Sequence, residues 1–216
     1  MLDIFTVSFF GHRSIDRYRE VEQEVSRIVR SLIRDHEYVD FLVGRDGDFD
    51  QIVTAEVRRA KRDVYDANSS LIWVMPYHKA EYKRNQESFD SYYDEVEICS
   101  ESDGAYPKAA IQIRNRSMVD RSDLVVCYIT KKTGGAYATW QYANNKGKAI
   151  INLAESMSSS KLSKSEVYKL SISQRKKLIE LSYPSVLCFL LVYQVLSPFS
   201  LLYLPTSGRP KLNYCY

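Results

Sequence analysis

The chain has 216 residues with 45% hydrophobic, 12% aromatic and 26% charged side chains. That is ordinary globular usage, which excludes wholesale disorder, a collagen-like repeat and a disulfide-knotted scaffold. Cys99, Cys127, Cys188 and Cys215 are scattered, with no Cys-x-x-Cys pair, so a reducing, cytoplasmic setting is expected. The net charge of +3 conceals a split: residues 1–155 carry 22 basic against 25 acidic side chains, and residues 156–216 carry 8 against 2. We therefore expect a domain over 1–155 and a Ser/Leu-rich tail over 156–216.

Ile4 to Phe10 is an apolar run with Asp3 and no basic residue ahead of it, which reads as a strand and not as a signal peptide. Val21, Val25, Ile28, Val29 and Leu32 then recur at helical spacing, one buried stripe of a long helix. Glutamates lead arginines along it, in accord with the helix dipole. Val39 to Val43 is the second strand, followed by Gly44-Arg-Asp-Gly47 and a helix with Val53, Val57, Ala60 and Val64 on its apolar face. Asp48 or Asp50 is placed to cap that helix. Leu71 to Met75 is the third strand, closed by Pro76. The tyrosine-rich text from Tyr77 to about Ser102 has no clean period and reads as a loop excursion with one short helix.

Ala109 to Val119 reads as helix, and Leu124 to Ile129 as a strand buried on both faces. Lys131 to Ala136 contains a glycine turn that opens a helix through Ala143, stopping at Gly147. Ala149 to Leu153 is the fifth strand. The expected fold is α/β: a Rossmann-like, mostly parallel five-stranded sheet with helices on both faces, in which ligands sit beyond the carboxyl ends of the strands.

Three strand ends combine glycine with polar groups: Gly11-His12-Arg13, Gly44 with Gly47, and Gly134-Gly135. Glycine lets a ligand approach the backbone, and free N–H groups at the following helix start attract anions such as phosphate. The same glycines would also serve turns alone. Arg13 could fork onto a phosphate or stand as a surface arginine. His12 could donate to a ligand oxygen or cap a helix, while His36 and His78 read as surface residues. Asp46, Asp48 and Asp50 alternate like a calcium loop, but Gln51 and Val57 occupy the positions that need glycine and glutamate, so helix capping fits them better. No metal-ligand spacing and no nucleotide-loop fingerprint is present, and no metal or cofactor is implied. The slightly acidic domain, with Arg58-Arg59-Ala-Lys61-Arg62 read as a solvated helix face, gives no expectation of a nucleic-acid partner.

Phe9-Phe10-Gly11-His12-Arg13, then Phe41-Leu-Val-Gly44 with Gly47 and Phe49-Asp50, then Arg114-Asn-Arg-Ser-Met-Val-Asp120, and finally Gly134-Gly135 leading to Lys146-Gly-Lys-Ala-Ile-Ile-Asn-Leu153 resemble the small bacterial and phage branch of the SLOG superfamily. That branch is related to the Lonely Guy enzymes and to the DNA-processing protein DprA. The resemblance covers residues 4 to about 155 and stops before the tail. It implies a Rossmannoid domain that binds a nucleotide or nucleotide-derived small molecule, often in phage-encoded or conflict-related settings, and homo-oligomers are common among such relatives. Enzymatic relatives cleave the N-glycosidic bond of a nucleoside monophosphate with a Pro-Gly-Gly-x-Gly-Thr-x-x-Glu motif. This chain keeps Gly134 and Gly135 but has Tyr137 and Ala138 for Gly-Thr and Gln141 for the glutamate.

An amide cannot act as a carboxylate base, so ligand binding without a catalytic residue is expected. The hydrolase, or a protein-interaction subunit with a vestigial pocket, stands as the alternative. The expected ligand contacts are Gly11, His12, Arg13, Gly44, Gly47, Gly134, Gly135 and Gln141, with Asn115 and Asp120 behind them or capping helices. In the tail, residues 181–208 carry no charge and 186–204 is long enough to span a bilayer. The alternatives there are a segment packed on the domain or the product of a frame shift.

Overall fold

The apolar runs form strands and the helical-period stretches cover them in the computed structural model, which describes residues 2–64, 67–102 and 104–159. In chain order these are β1 (Ile4–Gly11), α1 (Tyr18–Asp35), β2 (Tyr38–Val43), α2 (Asp48–Val64), β3 (Ser69–Met75), α3 (Ala80–Arg84), α4 (Gln86–Asp90), β4 (Glu95–Ile98), α5 (Pro107–Asp120), β5 (Leu124–Tyr128), α6 (Gly134–Asn145), β6 (Ala149–Asn152) and α7 (Leu153–Ser159). The strands form one sheet in the order β4-β3-β2-β1-β5-β6, and every neighbouring pair is parallel.

Because successive strand residues point to opposite faces, the central strands β1, β2, β3 and β5 feed two cores. Val7, Phe9, Phe41, Trp73 and Val126 pack with Val21, Val25 and Val29 of α1 and Val53 and Val57 of α2. Phe10, Leu42, Val74 and Cys127 pack on the other face with Met118 and Val119 of α5 and Ala143 of α6. Burial on both faces of β5, whose five residues are all buried, explains its unbroken apolar text.

The segment expected to be a loop with one short helix instead holds α3, α4 and a sixth strand, β4, which pairs with β3 from Ile72–Glu95 to Met75–Ile98. Its sequence, Glu-Val-Glu-Ile, alternates charged with apolar residues and lies at the sheet edge, where charge discourages pairing with another chain. Arg121 reaches it from the end of α5 and pairs with Glu97. The basic run on α2 is also less solvated than expected. Lys61 Nζ donates to Ser69 O at 2.7 Å and Asp94 Oδ2 at 2.5 Å, and Arg58 stacks on Tyr92. Among the described residues no helix is long and apolar enough to cross a membrane. The 186–204 stretch lies outside them, as does nearly all of the expected tail.

Candidate ligand-binding cleft

A sheet ordered 4-3-2-1-5-6 reverses direction between β1 and β5, and the loops leaving the two strands part there to open a crevice. A cleft of about 410 Å³ occupies this position. Gly11, His12, Arg13, Gly44, Gly47, Gly134 and Gly135 all line it, together with Asn115. Gln141 is exposed on α6 and does not line the cleft. Asp120, also outside it, accepts from the Tyr142 hydroxyl at 2.7 Å and lies 3.4 Å from Lys146 Nζ. The structure thus gathers three glycine turns and leaves these two residues apart.

Most of these glycines serve close packing of the cleft walls. A Cβ on Gly11 would run into the buried ring of Phe49, and one on Gly47 would meet Arg13 Cα at 2.7 Å. The β1–α1 and β2–α2 loops can therefore be stitched together by Asp48 N donating to Arg13 O at 2.9 Å and Ile15 N donating to Asp48 Oδ2 at 3.1 Å. Gly134, at φ +90°, is the one whose backbone itself requires glycine, and the space beside it is open.

The wall between β2 and α5 carries the strongest electrostatics. Arg114 is about 4% exposed. Its Nη1 donates to Val74 O at 2.9 Å and its Nη2 to Asp46 Oδ2 at 3.3 Å, while Nε is buried without a partner. Lys79 Nζ donates to Asp46 Oδ1 at 2.7 Å. Burial alone would raise the Asp46 carboxyl. The Lys79 hydrogen bond and the charges of Lys79, Arg114 and Arg13 outweigh it and hold Asp46 below the usual carboxylate range. Asp50 accepts from Asp46 N at 2.8 Å, yet burial, aided by repulsion from Asp46, pushes its carboxyl up to about 6.

On the β5 side, His12 Nε2 accepts from both Thr130 N and Lys131 N at 3.1 Å. Those two amides are spent on the protein's own imidazole, which must be neutral at Nε2 to receive them. Burial and the charge of Lys131 lower the His12 pKa. Gly134, Gly135 and Ala136, the first turn of α6, line the cleft beside these two amides. Asn115 Nδ2 holds that turn from behind by donating to Thr139 Oγ1 at 3.1 Å, which in turn donates to Gly135 O at 3.0 Å. Lys108 and Gln112 of α5 complete the lining. The cleft is therefore donor-rich along α5, α6 and Arg13, and acidic along the start of α2. Among the described residues no cluster of His, Cys, Asp and Glu could hold a metal ion.

Sequence reasoning passed over Asp46, Asp50, Lys108, Gln112 and Arg114 as ligand contacts. Arg114 carries a legible signal, because it stands four residues from both Ala110 and Met118 on the buried stripe of α5, where an unpaired cation would be costly.

No protein-family model matches the sequence, and no curated protein matches it. Among solved structures, the chain is similar to DNA processing protein A (DprA) from Streptococcus pneumoniae, with 15% identity, a TM-score of 0.50, and 68% of this chain and 49% of that one covered. It is also similar to DprA from Helicobacter pylori, described for its single-stranded DNA binding mode, with 16% identity, a TM-score of 0.49, and coverage of 68% and 63%. The chain thus spans about half to under two thirds of the length of these proteins. What is shared is the α/β fold. The expectation of no nucleic-acid partner is corrected, since a solved structure that shares this fold is a DNA processing protein.

Proposed function

We propose that the chain is a SLOG-type module that binds a nucleotide in the cleft at the sheet's switch point and holds it without turnover. The observation that carries this reading is the convergence, in one cleft, of three strand-end turns with Arg13, Lys108 and the buried Arg114. A ligand with a phosphate finds cations and the first turn of α6 there, and its polar remainder faces Asp46 and Asp50.

Thermal unfolding of the chain with ribonucleoside monophosphates, and in parallel with a short single-stranded oligonucleotide, tests it. Saturating ligand at about 100 times its Kd adds about 2.7 kcal/mol of stability, so a rise in Tm is expected with at least one probe. No rise with any probe at millimolar concentration sinks the reading and favours a protein-interaction subunit. A second reading, N-glycosidic hydrolysis, has one observation in its favour: Asp50 places a carboxyl in the cleft that Gln141 does not supply. Release of free base from the monophosphates would establish it. The binding reading expects none.

A further inference from the structure

Two successive backbone amides beyond β5 converge on a single side-chain atom: Thr130 N and Lys131 N each lie 3.1 Å from His12 Nε2. Adjacent N–H groups turned toward one point form a concavity that favours an anion. A neutral imidazole nitrogen offers that point one in-plane lone pair, so two donors share what suits one. A phosphate oxygen brings several lone pairs and a negative charge, and satisfies both donors more fully.

The imidazole is also the layer between these amides and the cleft. His12 lines the cleft, whereas Thr130 and Lys131, which donate to it, do not. Lys131 and Lys132 stand exposed in the same turn, so positive charge flanks the position. Burial and the Lys131 charge lower the His12 pKa, which leaves the ring neutral at pH 7.5, and its removal there does not change the charge of the site. His12 directly follows the last residue of β1 and is only half-buried. Rotation about its side-chain bonds therefore frees the turn without moving the sheet.

Resting on the nucleotide reading above, we infer that His12 is an internal stand-in for an anion: a phosphate reaches the Thr130 and Lys131 amides by displacing the imidazole, so His12 restrains the affinity of the cleft for phosphorylated ligands. This reverses the role expected from the sequence, in which the ring donates to a ligand oxygen.

Calorimetric titration at pH 7.5 and fixed ionic strength compares the full chain with His12→Ala, using the four ribonucleoside monophosphates, their nucleosides and inorganic phosphate. The tightest monophosphate should bind the variant about tenfold or more tightly, because two hydrogen bonds no longer have to be displaced, while the matching nucleoside changes by less than about twofold. In the unmodified chain, saturation with that monophosphate should abolish the nuclear Overhauser contact between the His12 ring protons and the Lys131 amide proton. Weaker or unchanged binding by the variant, an equal gain for the nucleoside, or a ring contact that persists at saturation overturns the inference and leaves the nucleotide reading standing. If neither chain binds any phosphorylated probe, both fall.

Discussion

Arg114 and Asp50 share a wall but act on stability in opposite ways. Removing the guanidinium leaves the Val74 carbonyl without its buried donor and Asp46 with Lys79 as its remaining cation. Arg114→Leu should therefore cost about 3–5 kcal/mol, read as a lower urea midpoint at unchanged slope. Arg114→Lys should recover only part of this, because a single ammonium cannot span both acceptors in the guanidinium's planar geometry. For Asp50 the folded pKa, about 6, lies above the ordinary 3.8. Between those values the folded state keeps a proton that the unfolded chain has released, so stability declines as pH rises from about 4 to 6, and the full penalty is present at neutral pH. The shift corresponds to roughly 3 kcal/mol at 1.36 kcal/mol per pH unit. Asp50→Asn should flatten the pH profile over that window and raise stability at pH 7. Asp46, held low, acts with the opposite sign: its contribution is fully present above about pH 4 and is lost as pH falls below that, so a comparison between pH 4.5 and 7 reports, of the two residues, Asp50 alone.

The turn between β5 and α6 depends on the state of one imidazole. His12 reaches from the end of β1 to receive both backbone amides of Thr130 and Lys131, so the two strands that border the cleft are clasped by a group that a proton would disable. Its pKa is depressed, which makes its contribution fully present above about pH 6.5 and lost as pH falls toward the lower folded value. That is the reverse of Asp50. At a fixed pH of 7.5, His12→Phe should speed amide exchange at Thr130 and Lys131 by about tenfold or more, with the centre of β5 unchanged. Uniform acceleration throughout β5 would instead mean that the clasp supports the whole strand. Neither role could be seen in the text Gly11-His12-Arg13, because the partner amides lie more than a hundred residues away. What could be read there was that a strand ended and a polar turn began. The same limit hid β4: Glu-Val-Glu-Ile is charged on alternate residues because an edge strand meets water, and its neighbours supply no apolar run to mark it.

Topology, more than any motif, places the site. The alternation of apolar runs and helical stretches was enough to anticipate a parallel sheet, and a parallel sheet of this order has one reversal, where the β1, β2 and β5 turns meet. The sequence could not tell which glycines face a ligand and which let two loops touch, since both need the missing Cβ. Nor could it fix where the domain stops, because the boundary near residue 155 falls inside a helix. Residues 153–159 form α7, in which Leu153 is fully buried and Met157 about 5% exposed, both packed into the core that α1 and α2 share. All six strands and the helices that cover them precede residue 160, so a chain ending at 159 should fold by itself with dispersed amide resonances and a single unfolding transition. Ending the chain at 155 removes Met157 from that core. On the cost of deleting a large buried side chain it should lower stability by about 2–5 kcal/mol relative to the longer form. Equal urea midpoints for the two truncations would show that α7 contributes nothing and would return the boundary to the position read from composition.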